Sequence, residues 1–286
     1  MNTWVVAVLG IVPALAGAGV PDGSAGSEAR PGRASDSADA TSAAAKSSQS
    51  SQPRPPDPMH RPSAKGSKKT ASFPQDIFTE PKEVDPDTLA NLGPLRRMAG
   101  VWVGRQGKDE HPVADGGAED AYVERMELQP IDPQLNGPQL LYGLRYHIHI
   151  VKPGEVATFH DQVGYWLWEP ATKTVIQTVA IPRAQVAMAA GKAEPDASEL
   201  ELVAKLGAEH FGICSSPFLQ TAFRTVEFRI LVRFHPDGTW SYEEDTVLKV
   251  RGRKGLFHHR DRNTLTKVAE PTPNPLAAAG PVSKAD

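Results

Sequence analysis

The sequence predicts an all-β domain, an antiparallel barrel of about ten strands, on three observations. Apolar and polar residues alternate in several segments, which is the pattern of strands with one buried face. Turn signals such as KPGE, HPDGT and VRGRKG separate these segments. Helical candidates are few and short, and closing the sheet removes its unpaired edges, so a barrel is favoured.

The first 20 residues form a hydrophobic segment. The run from Trp4 to Val20 has no charge and ends in small residues, like the apolar part of a secretion signal. It is shorter than the ~20 residues of a membrane-spanning helix, and no Lys or Arg precedes it. Three interpretations stay open: an exported protein, periplasmic or secreted; a membrane tether through residues 4–20; and a cytoplasmic protein whose start codon has been placed too early.

Residues 21–84 are predicted to be a disordered linker. They are rich in Ser, Ala and Pro and contain almost no large apolar side chain, so they cannot bury enough surface to offset the entropy of ordering. Residues 269–286 have a similar composition and form a predicted disordered tail. Residues 85–268 remain as one globular domain.

Composition excludes several classes of protein. The net charge of −3, with no concentrated basic patch, argues against a nucleic-acid partner. The single cysteine, Cys214, excludes an intrachain disulfide and a zinc site built on several thiolates.

Within the domain, the strands follow one another with short connections. They are predicted to begin near residues 98, 120, 139, 161, 173, 184, 199, 222, 239 and 256. The two histidines of the segment QLLYGLRYHIHI lie on one face, and the other face carries an apolar row of Leu140, Tyr142, Leu144, Tyr146, Ile148 and Ile150. The helical candidates are DPDTLANLGPLRRM and a turn near SSPFLQ. A barrel of eight to ten strands is wide enough for one small ligand, so an apolar small molecule is the predicted partner.

Several motifs resemble one known family. LGPLRRMAGVWVGRQG matches the opening Gly-x-Trp-x-Gly-x-Gly strand through Gly100, Trp102 and Gly104, with Gln106 in place of the third glycine. AYVERMEL, LLYGLRYH, FHDQVGYWLWEP, VIQTVAIPRAQVAMAAG, GTWSYEEDTVLKV and HHRDRNTLTKV follow in the family's order. Together they resemble the nitrobindin-type haem-binding β-barrels, whose calycin-like fold is related to fatty-acid-binding proteins.

The resemblance implies a cofactor and a chemistry. Family members hold haem b at the barrel mouth, and a histidine of the last strand ligates the iron. They react with nitrogen oxides, including the isomerisation of peroxynitrite to nitrate, and often form homodimers. The resemblance therefore implies a haem cofactor, peroxynitrite isomerase-type activity and a homodimer.

The position of the iron ligand depends on one residue of register. Gap-free alignment of NTLTKV places the ligand on Arg260, and a protonated guanidinium cannot ligate iron. A one-residue bulge brings His259 to that position. We therefore name His259 as the candidate iron ligand and His258 as its alternative, because neighbouring strand residues face opposite sides. If neither binds metal, both are expected to hydrogen-bond to nearby acids such as Asp261.

Three further residues are candidates for contact with the cofactor. Trp102 is expected to plug one barrel end. His160, in the family's His-x-x-x-Gly-Tyr-Trp pattern, is expected to line the pocket or to bond a neighbouring loop. Arg183 follows Pro182 in a predicted hairpin, and its guanidinium is suited to a haem propionate.

Two other functions stay open at this point. The barrel fits a haem-free, lipocalin-like or fatty-acid-binding-like carrier of an apolar molecule. Alternatively, His147 and His149 have the two-residue spacing that puts two imidazoles on one strand face, as in the metal site of a cupin-like metalloenzyme. That site needs a third ligand, for which His160 and His235 are the candidates.

Overall fold

The computed structural model describes residues 76–273. Within these residues, two short α-helices, α1 (Thr88–Asn91) and α2 (Pro217–Ala222), and one 3₁₀ helix (Gly93–Met98) accompany eleven strands. The strands are β1 (Gly100–Val113), β2 (Gly116–Asn136), β3 (Gln139–Val151), β4 (Thr158–Glu169), β5 (Thr174–Ile181), β6 (Gln185–Lys192), β7 (Glu199–Leu206), β8 (Gly212–Ser215), β9 (Phe223–Phe234), β10 (Trp240–Val250) and β11 (Phe257–Ala269).

The strands close into one barrel in the order β1-β11-β10-β9-β7-β8-β6-β5-β4-β3-β2. All pairings are antiparallel except that of β7 with β8. The predicted barrel is confirmed, with eleven strands where about ten were expected. The additional strand is β8, which has only four residues and no alternating pattern long enough to be read in the sequence.

The helices before β1 cover one end of the barrel. Asp87 caps α1 by accepting a hydrogen bond from the amide of Ala90 at 3.0 Å. The following 3₁₀ helix buries Leu95 and Met98 completely against the core. The carbonyl of Met98 accepts a hydrogen bond of 2.7 Å from the indole of Trp102, which ties this helix to β1.

A bulge in β1 decides which residues face the interior. The register between β1 and β2 shifts between Gly104 and Gly107. Trp102 is buried before the bulge, whereas Asp109 and His111 are buried after it. Inward-facing residues therefore have even numbers before the bulge and odd numbers after it. Gly107 is required here because a Cβ would lie 2.1 Å from the ring of Tyr122.

Some predicted segments lie outside the described residues. These are the hydrophobic segment 1–20, positions 21–75 of the predicted linker, and positions 274–286 of the predicted tail. Within 76–273, no helix is both long and apolar enough to cross a membrane.

Candidate functional site

The strand β11 directs His259 into the barrel and its neighbours outward. His259 is 0% exposed. His258 lies on the outer face, where its Nδ1 is 2.8 Å from Asp245 Oδ2. Arg260 is also outside, with its guanidinium 3.9 Å from Glu110. The histidine pair is therefore divided between the two faces, as expected for adjacent strand residues.

His259 lies against two buried carboxylates. Its Nε2 is 2.7 Å from Asp109 Oδ1 and 3.2 Å from Asp261 Oδ2. Neither contact is aligned as a hydrogen bond, so both ring nitrogens of His259 lack a hydrogen-bond partner among the described residues. His111 Nδ1 lies 2.8 Å from the second oxygen of Asp109 and forms a hydrogen bond with it.

Strand pairing brings these residues together from opposite ends of the domain. Asp109 of β1 is directly opposite Asp261 of β11. On the other side of β11, Glu244 of β10 is opposite Asp261, and Thr246 is opposite His259. Side chains directly opposite each other on one face are close enough to interact. Acidic groups from three adjacent strands therefore meet inside the barrel.

The charged groups of this cluster shift one another's pKa values. Burial by itself lowers the pKa of His259, but the carboxylates of Asp261 and Asp109 outweigh it and raise that pKa to about 10. Burial, followed by the charge of Asp109, raises the pKa of Asp261 to about 7. Burial opposes ionisation of Asp109 as well, yet the contacts with His111 and His259 lower its pKa. The two carboxylates therefore favour the protonated form of His259.

A second layer of buried polar groups lies beside the cluster. Glu124 Oε2 accepts hydrogen bonds from the hydroxyl of Tyr242 at 2.9 Å and the amide of Asn263 at 3.0 Å. Burial raises the pKa of Glu124 to about 7, although these two hydrogen bonds oppose the shift. The side chain of Glu244 faces the interior and is partly buried. Burial, together with the charges of Asp261 and Glu124, raises its pKa well above the usual range.

Arg183 and His160 lie together near this end of the barrel. Arg183, in the turn between β5 and β6, donates a hydrogen bond of 3.0 Å to the carbonyl of Phe159 and one of 3.3 Å to His160 Nδ1. Burial lowers the pKa of Arg183, whereas the charge of Asp109 opposes this shift. His160 is buried, with its Nε2 3.3 Å from Gln162 Oε1. The structure therefore brings Arg183 into the electrostatic surroundings of the cluster.

Comparison with known proteins identifies the domain. The description "THAP4-like, heme-binding beta-barrel domain" matches residues 91–267, which is more than half of the chain. The chain belongs to this heme-binding β-barrel family. The crystal structure of Rv2717c from M. tuberculosis is similar, with a TM-score of 0.45 and 20% sequence identity over 64% of this chain and 98% of that one. No curated protein matches the chain.

Trp102, which was predicted to contact the cofactor, does not lie beside His259. Trp102 is opposite Lys267 near the end of β11, whereas His259 is near its beginning. Its ring packs edge-to-face against Trp240 at 5.9 Å. Trp102 therefore fills the end of the barrel that is remote from the carboxylates. The structure does not support the predicted contact between Trp102 and a cofactor bound at His259.

The histidines of the cupin-like interpretation point outward. His147 Nε2 lies 2.9 Å from Asp161 Oδ2, and His149 Nε2 lies 3.0 Å from Thr158 Oγ1. His160 cannot complete their site because it is buried on the opposite face of the sheet, and His235 lies in a turn beside Ser241. Among residues 76–273, these histidines belong to no group of three potential metal ligands.

A groove of about 380 Å³ on the outer face of β2 to β5 is also remote from the cluster. It is lined by His147, Tyr165 and their neighbours. We place the candidate site at His259 because most of the unpartnered buried polar atoms of residues 76–273 lie at or beside it.

Four inward-facing polar residues of the site were not predicted from the sequence: Asp109, His111, Glu124 and Glu244. The usable signal for the first two was the Asp-x-His spacing, which puts both side chains on one strand face. The bulge between Gly104 and Gly107 concealed it, because reading the parity from Trp102 places both residues outside.

Proposed function

We propose that the protein binds haem b at the His259 end of the barrel, with His259 as the iron ligand. The observation that carries the proposal is the inward orientation of His259 on the closing strand. Arg260, which gap-free alignment places at the ligand position, points away from the interior toward Glu110. Membership of a heme-binding family supports the choice of cofactor.

The chemistry of His259 is suited to iron. A metal-bound histidine commonly has one ring nitrogen on the metal and the other held by a carboxylate. Nε2 of His259 is beside Asp109 and Asp261, and Nδ1 has no hydrogen-bond partner among the described residues. An imidazole whose Nε2 lies beside two carboxylates and whose Nδ1 has no hydrogen-bond partner among residues 76–273 suits an axial haem ligand.

Other residues at this end have roles that follow from their contacts. The guanidinium of Arg183 supplies a positive charge for a propionate. Asp109 orients the imidazole, and Phe159, Ile148 and Phe228 supply apolar surface. When bound, a ferric haem would supply an iron that reacts with nitric oxide or peroxynitrite.

A haem-free carrier is the second candidate function. The observation in its favour is the apolar wall formed by Ile148, Ile150, Phe228 and Ile230, which are all buried in the main core. Such a wall suits an apolar molecule without any iron. Native mass spectrometry of the purified protein would then detect an organic ligand, with no iron in elemental analysis.

A haem titration tests the first candidate. Adding haem to the purified full chain is expected to produce a Soret band that saturates at one equivalent. His259→Ala is expected to weaken haem binding at least tenfold, because the imidazole ligand is lost. His258→Ala is the matched control, since that histidine lies one residue away on the outer face, and its affinity is expected to stay within twofold of wild type.

Two results would contradict the proposal. Absence of a Soret band at equimolar haem would exclude haem binding, and an unchanged band in His259→Ala would move the iron ligand elsewhere. Far-UV circular dichroism verifies that each variant is folded. A Soret band combined with faster peroxynitrite decay would support the proposed nitrogen-oxide chemistry, whereas unchanged decay would restrict the function to binding.

A further inference from the structure

We propose that Asp109, His259 and Asp261 form a site for one divalent transition-metal ion, bound by the side chains directly and without a porphyrin. One ligand atom from each residue lies within 4.8 Å of the other two. Nε2 of His259 is 2.7 Å from Asp109 Oδ1 and 3.2 Å from Asp261 Oδ2. Two ligand atoms that are each about 2.1 Å from one ion lie about 3.0 Å apart in octahedral and about 3.4 Å apart in tetrahedral coordination. The 3.2 Å separation lies in this range, and the 2.7 Å separation is slightly below it.

The unpartnered atoms of the cluster provide an independent reason. Asp109 Oδ1, both carboxylate oxygens of Asp261 and both ring nitrogens of His259 are buried, and they have no aligned hydrogen-bond partner in the part of the chain that the structure describes, although they lie in ion-pair range of one another. The three residues are 0%, 3% and 0% exposed, respectively. Buried polar atoms in folded proteins are nearly always satisfied by a hydrogen bond or an ion. A cation between these atoms would satisfy Oδ1 of Asp109, one oxygen of Asp261 and Nε2 of His259 together.

Neighbouring residues orient the ligands as in established metal sites. His111 holds the second oxygen of Asp109 at 2.8 Å, which leaves Oδ1 directed toward His259. Such outer contacts fix the orientation of a ligand and tune its affinity for a metal. Glu244, directly opposite Asp261, offers a further carboxylate beside the site.

The donor set selects the class of ion. One imidazole nitrogen with two carboxylate oxygens suits Zn²⁺, Mn²⁺ or Fe²⁺, whereas Ca²⁺ and Mg²⁺ prefer oxygen alone and Cu⁺ prefers sulfur. A second group has the same property: one ligand atom from each of Asp109, His111 and Asp120 lies within 4.8 Å of the other two. That second group is a poorer site because the ammonium of Lys152 already lies 2.9 Å from Asp120.

This inference goes beyond the proposed haem function and competes with it for one residue. Both haem iron and a directly bound ion require His259. The ion also requires Asp109 and Asp261 as ligands, whereas haem requires them only as neighbours of the imidazole. The two proposals can therefore fail separately.

Metal titration of the full chain tests the proposal. After treatment with a chelator, isothermal titration with Zn²⁺ and with Mn²⁺ is expected to show one bound ion. Asp261→Asn and Asp109→Asn are expected to weaken binding at least tenfold, because each nearly isosteric change removes an anionic ligand. Asp245→Asn is the matched control: Asp245 also contacts a histidine, His258, but on the outer face, and its replacement is expected to leave affinity within twofold.

A readout on the wild-type protein makes the test independent of the folding of any variant. Co²⁺ is expected to give ligand-field absorption bands that saturate at one equivalent. Absence of a bound ion and of these bands would overturn the proposal, as would full affinity in folded Asp109→Asn and Asp261→Asn. Haem binding without ion binding would overturn the ion site alone, and ion binding without a Soret band would overturn the haem function alone.

Discussion

Replacing Trp102 by alanine is expected to lower the free energy of unfolding by about 3–5 kcal/mol. The side chain is 1% exposed and packs edge-to-face on Trp240. Alanine would leave a cavity at the covered end of the barrel and remove the 2.7 Å hydrogen bond to the carbonyl of Met98. Urea denaturation of wild type and variant at one pH measures the difference.

Two further variants define the cause of that loss. Trp102→Phe keeps an aromatic ring but loses the hydrogen bond, so a smaller loss of about 1–3 kcal/mol is expected. Tyr165→Ala removes an aromatic side chain that is 43% exposed, and a change below about 1 kcal/mol is expected. Equal losses at the two positions would show that burial at the barrel end is not decisive. Haem and metal affinities of Trp102→Phe are expected to match wild type, because Trp102 is remote from His259.

Glu124→Gln is expected to stabilise the protein at alkaline pH and to have little effect in acid. Burial raises the pKa of Glu124 from 4.5 to about 7 in the folded state. Between these values the folded protein holds a proton that the unfolded chain has released, so the contribution of Glu124 to stability falls as pH rises. The lost contribution amounts to about 3 kcal/mol above pH 7. Glutamine has no such titration and retains a side-chain oxygen for Tyr242 and Asn263.

The measurement is the difference in unfolding free energy between variant and wild type at several pH values. That difference is expected to increase by about 3 kcal/mol between pH 4.5 and pH 8 in favour of the variant. Glu243→Gln serves as the control, because Glu243 is exposed and pairs with Arg233 on the outer face. A pH-independent difference for Glu124→Gln would mean that Glu124 titrates normally in the folded protein.

Much of the fold could be predicted because its signals are local. Alternation along QLLYGLRYHIHI placed Tyr146 and Ile148 inside and His147 outside, and the structure agrees. Strand starts near residues 139, 199 and 239 lie within one residue of the observed β3, β7 and β10. The four-residue β8 was missed because its pairing with β6 and β7 depends on distant segments rather than on its own pattern.

The candidate site could be predicted only in part. The last-strand histidines were recognised, and the split of His258 and His259 between two faces follows from the period of a strand. The placement of Asp109 beside His259 could not be read, because it depends on a bulge in β1 and on the pairing of β1 with β11.

The sequence by itself determined the all-β class and the strand faces that bury apolar residues, since both depend on contacts between near neighbours in the chain. Only the tertiary structure decided that His259 meets Asp109 and Asp261, and that Trp102 lies at the other end. The physical reason is closure of the barrel. Closure joins the first strand to the last, and the bulge at Gly104 and Gly107 sets which side chains of β1 enter the interior.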